Sequence, residues 1–134
     1  KNKEVIRVLE FETQQEGFSF LYFAAKTAAT LMAMNNIYYR ATHLADNKEL
    51  AAMPANLRMN GINNHGIDKV DFELFALAIS AINGCGLCIQ SHVKQLRGHS
   101  VTNTAIQSSL RLAATINALV TAYACADNDL NLEI

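Results

Sequence analysis

The chain has 134 residues, a length that suits one domain with a modest core, and 51% are apolar against 17% charged, which excludes a disordered or low-complexity chain. A formal net charge of −1 with no basic patch argues against duplex nucleic acid as a partner. Three cysteines are too few for a disulfide-stapled secreted scaffold, and a close pair plus a distant single one fits a cytoplasmic protein with one reactive or metal-binding site.

No signal-peptide pattern follows Lys1, and the chain does not open on Met, as expected of a processed or truncated piece. Residues 4–16 form a short amphipathic helix in which Val5, Val8, Leu9 and Glu12 share a face, and Gly17 ends it. From Ser19 a long helix runs to about Leu44, with alanines that permit close helix approach. Asn35 and Asn36 are polar inside this apolar helix, so each is expected to bond to a neighbouring backbone or helix. Tyr38 and Tyr39 read as packing residues with ordinary hydroxyl hydrogen bonds.

Asp46 and Asn47 mark a turn, residues 48–53 a short helical turn closed by Pro54, and residues 55–60 another. The glycine-bounded stretch 61–66 is the clearest loop. His65 reads as a loop histidine and His43 as a helix-face one; neither has a Cys, Asp or His at a ligand-like offset. Asp68, with Asp71 three residues on, caps a helix whose apolar stripe is Phe72, Phe75, Ala76, Ile79 and Ile82. That helix ends near Ile82, where Asn83 and Gly84 interrupt it, and a cysteine-bearing helix runs on to about Arg97 with Gly98 as its cap. Ser100 or Thr102 caps a last long helix with a seam of Ile106, Leu110, Ala113, Asn117, Val120 and Ala124, followed by a tail from Asp127. Residues 18–34 and 104–126 are apolar, but Lys26, Gln107, Arg111 and Asn117 interrupt them, so both read as buried helices of a soluble bundle rather than membrane spans. The fold class is all-α, a helical bundle with no convincing repeat and few strand patterns.

Chemistry concentrates in residues 73–92. Cys85 and Cys88 are three apart and His92 is four beyond Cys88, which places all three on one helix face. A helix start at the pair supplies unpaired backbone N–H groups and a dipole that favour a thiolate. His92 is placed to take the Cys88 proton, while Cys85 resolves the adduct that Cys88 forms. If the two helices fold back at Asn83 and Gly84, Glu73 reaches His92 directly or through a water and orients its ring. Dithiol redox chemistry is the leading reading. Metal ligation by Cys85, Cys88, His92 and Glu73 stays open, although three ligands along one short helix are awkward for tetrahedral closure. Simple packing of buried cysteines also stays open. Cys125 is remote from the pair and reads as a core or surface thiol.

The pattern of Glu73, eleven residues, then Cys85-x-x-Cys88-x-x-x-His92 resembles the carboxymuconolactone decarboxylase-like family, in its AhpD-like branch. The stretches M-N-N-I-Y-Y-R (residues 34–40), L-R-M-N (57–60) and F-E-L-F-A-L-A-I-S-A-I-N-G-C (72–85) carry the same resemblance, which covers nearly the whole chain. It implies a single AhpD-like helical domain over residues 1–134, with part of the family's N-terminal helical region missing before Lys1. It further implies a homo-oligomer, often a trimer, with weak alkyl hydroperoxide reductase activity. No tightly bound cofactor is implied. Electrons would pass from dihydrolipoamide on a lipoyl-bearing protein to an AhpC-type peroxiredoxin. By the same resemblance Cys88 is the more activated thiol, His92 and Glu73 form its proton relay, and Cys85 completes the disulfide. The family commonly has a histidine immediately before the second cysteine, where this chain has Leu87. Disulfide transfer is therefore expected to survive better than direct peroxide reduction. Two other functions compete: a decarboxylase-like enzyme acting on a lactone or β-keto acid, and a metal-stabilised helical interaction domain.

Overall fold

The structure is a computed structural model that describes residues 3–129, the side chains of 127–129 excepted. Six α-helices follow in order among the described residues: α1 (Lys3–Gln15), α2 (Ser19–Leu44), α3 (Lys48–Ala52), α4 (Lys69–Ile82), α5 (Gly86–Gly98) and α6 (Asn103–Asp129). No strand occurs among them. The expected ends of α2 are met at both residues. Helix α4 starts where Asp68 Oδ1 accepts the Val70 N–H at 2.7 Å, and ends at Ile82 as the Asn83 and Gly84 interruption requires.

Helix α4 is the hub, packing against α2, α5 and α6. Leu77, Leu96 and Ile106 form the buried centre of one cluster, with Val70, Leu74, Ile89 and Val93 packed around it. Burying a side chain such as Leu77 or Leu96 contributes about 2 kcal/mol. On the other side of α4, Phe72 and Ala76 are buried, as are Ala24, Ala28 and Met32 of α2. Alanines at these positions let the α2 and α4 backbones approach closely.

Several local expectations are corrected. The buried stripe of α4 is Phe72, Glu73, Ala76, Leu77 and Ser80, whereas Ile82 is exposed. The stripe is rotated because Glu73 and Ser80 find polar partners on other helices, which apolar periodicity does not register. No helix forms over residues 55–59; a 3-10 turn, Asn60–Ile62, follows instead. There the chain crosses α2 so closely that a Cβ on Gly61 would stand 2.9 Å from Thr27 Cγ2. Gly98 stays helical, and the left-handed residue is Ser100 at φ 63°. Thr102 is the cap of α6, its Oγ1 accepting the Ala105 N–H at 3.2 Å. The helix continues through residues 127–129 in place of the expected tail, and residues 130–134 lie outside the described part.

The largest correction concerns α6. Ile106 and Ala113 are buried, but Ile116, Leu119, Val120 and Tyr123 are exposed. By length and composition Asn103–Ala126 is apolar enough to cross a membrane, and little of it is buried. It is not the buried core helix that its composition suggests. Helix α1 has no buried residue at all.

Candidate active site

The reversal between α4 and α5 builds the site. Asn83 ends α4, Gly84 takes φ 69°, and Cys85 becomes the N-cap of α5. A left-handed backbone suits glycine because it carries no Cβ to clash with the following carbonyl. Cys85 Sγ accepts the Cys88 N–H at 3.4 Å, doing the work of a capping oxygen. One helical turn then brings the two cysteines to a Cα separation of 5.3 Å, and they are joined as a disulfide. Cys85 is 0% exposed and Cys88 7%. Cys125, on α6, is free and exposed.

The same reversal lays α5 against α4. Glu73 Oε2 stands 2.7 Å from His92 Nδ1, a direct contact with no intervening water. Glu73 is buried and His92 half-buried. A carboxylate oxygen only accepts, so in a neutral ring opposite an ionised Glu73 the proton sits on Nδ1 and Nε2 is left as an acceptor. The glutamate therefore fixes the ring's tautomer as well as its angle.

Glu73, Cys88 and His92 line one open cleft of about 440 Å³. All four residues singled out in the sequence thus meet here, three on the cleft wall and Cys85 sealed behind Cys88. Sequence reasoning passed over other parts of the wall: Tyr39, Met32, Met59, Ile62 and Asn35. Tyr39 makes an edge-to-face contact with Tyr38 at 5.3 Å, so its packing role coexists with a place on the cleft.

Asn35 and Asn36 were the available signal, two amides in an apolar helix, and they behave differently. Asn36 is fully partnered. Asn35 Nδ2 donates to Met59 Sδ at 3.0 Å, while its buried Oδ1 has no partner. The backbone oxygen of Asn35 lies 4.0 Å from Cys88 Sγ. His65 is buried and stacked on Phe72 at 4.2 Å, away from the cleft wall. His43 is exposed. No group of three or more His, Cys, Asp or Glu side chains among the described residues is placed to hold one metal ion.

Comparison with known proteins identifies the family of the chain. Residues 48–127 match the Carboxymuconolactone decarboxylase family. An alkyl hydroperoxide reductase AhpD of Rhodopseudomonas palustris (strain BisB18) is 48% identical over 130 residues, covering 97% of this chain and 72% of that protein. One from Maricaulis maris is 57% identical over 101 residues, covering 75% of this chain and 58% of that protein. One from Brucella anthropi is 47% identical over 129 residues, covering 96% and 74%. The matched part of this chain therefore spans between about three fifths and three quarters of these relatives' lengths. By these matches, the chain belongs to the carboxymuconolactone decarboxylase family, among its AhpD-like members.

Proposed function

We propose that the chain is a thiol-dependent antioxidant oxidoreductase that cycles between a Cys85/Cys88 dithiol and the disulfide. The observation that carries this reading is the juxtaposition of a Cys85–Cys88 disulfide at the start of α5 with a Glu73–His92 pair in one cleft. The relatives named alkyl hydroperoxide reductase AhpD support the substrate class.

In the half of the cycle that oxidises the protein, His92 takes the Cys88 proton and the thiolate attacks the outer oxygen of an alkyl hydroperoxide. An S–O bond forms, the O–O bond breaks, and the departing alkoxide takes the proton back from His92 to leave as an alcohol. Cys85 then attacks the Cys88 sulfenic acid; the S–S bond forms and hydroxide leaves with the Cys85 proton as water. Dihydrolipoamide on a lipoyl-bearing protein restores the dithiol by two exchange steps and becomes its own cyclic disulfide. In the adaptor role, the dithiol instead reduces the disulfide of an AhpC-type peroxiredoxin. Leu87 leaves the cleft without a second imidazole, so peroxide turnover is weak and disulfide transfer is the main activity.

The remaining parts of the reading are a single cytoplasmic domain with no tightly bound cofactor, assembled as a homo-oligomer, with a trimer as the proposed number. Apolar side chains left exposed on α1 (Ile6, Val8, Leu9, Phe11) and on α6 (Ile116, Leu119, Val120) support association. The test is a coupled assay with dihydrolipoamide and an alkyl hydroperoxide, run with and without a peroxiredoxin. Turnover that rises with the peroxiredoxin and vanishes in Cys85→Ser and Cys88→Ser is the expected result. Turnover of a lactone or β-keto acid that survives the double replacement would overturn it.

A further inference from the structure

Helix α2 lines the cleft and also reaches the turn that carries the cysteines. Asn36, 1% exposed, donates from Nδ2 to Ser80 Oγ at 2.9 Å, and its Oδ1 accepts from Asn83 Nδ2 at 2.9 Å. Ser80 in turn gives its backbone carbonyl to the Cys85 N–H at 3.1 Å. One helical turn further along α2, the exposed Arg40 donates from Nη1 to the backbone carbonyl of Asn83. Asn83 before Gly84 and the cysteine after it are therefore tied, directly or through Ser80, to two side chains of α2. The amide of Asn36 has donor and acceptor both used, and a buried amide is retained at low cost only when it is so satisfied.

We propose that Asn36 and Arg40 are positioning residues that hold the turn of Asn83, Gly84 and Cys85, and so raise the effective concentration of the Cys85 thiol at Cys88. The proposal rests on the reading of Cys85 and Cys88 as the working pair. Once the disulfide is reduced, no covalent bond keeps Cys85 aimed. Cys88 is held within α5, but Cys85 is a cap residue whose place depends on the turn. A left-handed glycine beside it has wide conformational freedom unless neighbours restrain it. Closing the disulfide from either a sulfenic acid or a mixed disulfide requires Cys85 at Cys88, so the restraint acts on both the closing rate and the dithiol–disulfide equilibrium.

The equilibrium is read by incubating the purified protein with reduced and oxidised dithiothreitol: protein dithiol plus oxidised dithiothreitol gives protein disulfide plus reduced dithiothreitol. The disulfide fraction is measured by alkylation and intact mass. Arg40→Ala, at an exposed position, is expected to shift this equilibrium toward the dithiol by about threefold to tenfold, the weight of one hydrogen bond. Asn36→Ala is expected to shift it by about tenfold or more. Arg40→Lys keeps a donor for the Asn83 carbonyl and is expected to stay within about twofold of the parent. A second readout is the lifetime of the Cys88 sulfenic acid after one equivalent of hydroperoxide, captured by a dimedone probe, which lengthens in Arg40→Ala. If Asn36→Ala does not fold, the two Arg40 variants carry the test. A folded Arg40→Ala with the parent's equilibrium and sulfenic-acid lifetime would overturn the inference alone. A parent protein that never loses two hydrogens on mild oxidation would overturn the underlying reading and this inference with it.

Discussion

Glu73 on α4 and His92 on α5, nineteen positions apart in sequence, meet at 2.7 Å because the chain reverses at Gly84. The carboxylate is positioned to select which ring nitrogen holds the proton. We predict that Glu73→Gln lowers hydroperoxide turnover by about tenfold to 100-fold, and that His92→Phe lowers it by about 100-fold or more. The check is paired: steady-state turnover, and the rate at which iodoacetamide alkylates the reduced protein at neutral pH. Both rates should fall in His92→Phe. An alkylation rate equal to the parent's would remove the relay from the mechanism.

Gly84 and Gly86 flank Cys85 and have open space around them, yet only Gly84 has a positive φ. Gly84→Ala is predicted to cost about 1 to 2 kcal/mol of stability through the left-handed backbone. Gly86→Ala, at the start of a helix, is predicted to add up to about 1 kcal/mol. Urea unfolding of the reduced variants measures both, and equal destabilisation by the two would contradict the assignment of strain to Gly84.

Asn35 combines a bond to Met59 Sδ with a buried, unpartnered Oδ1 on a residue of the cleft wall beside Cys88. Replacement of a half-satisfied amide by an apolar side chain of similar size is close to neutral for folding. We predict that Asn35→Leu keeps stability within about 1 kcal/mol, since the amide it removes carries a buried oxygen with no partner. Urea unfolding checks this, and a larger loss would show that the bond to Met59 stabilises the fold.

Leu87 is 38% exposed on the cleft rim, next to Cys88. A histidine there would add a proton carrier to a site that has one imidazole. Leu87→His is predicted to raise direct hydroperoxide reduction about tenfold in the absence of a peroxiredoxin. Measurement of turnover with dihydrolipoamide as the sole reductant decides it.

Local chemistry made the site and most helix ends legible in the sequence. Asp68 as a cap, Gly17 and Gly84 as breaks, and the spacing from Glu73 to His92 all act within a turn or two of chain. Partnership at a distance was less legible. Ser80 lies in the core because Asn36, forty-four positions away, bonds to it, and no periodicity encodes that. The exposure of α6 was illegible for a related reason. Ile116, Leu119 and Val120 form the same apolar pattern whether the covering surface belongs to this chain or to another. Met59 and Ile62 reach the cleft through an irregular segment held at Gly61, where no repeating pattern operates.

The unequal burial of the two sulfurs has a kinetic consequence. An incoming thiol has two possible targets in a disulfide, but Cys85 is 0% exposed, so only Cys88 offers a line of attack and Cys85 is always the leaving group. In the proposed cycle, hydroperoxide and reducing thiol then use the same sulfur through the same doorway, and neither binds productively while the other occupies it. Parallel double-reciprocal lines are expected while both substrates are dilute, and an excess of either is expected to slow the reaction and steepen those lines by blocking entry of the other.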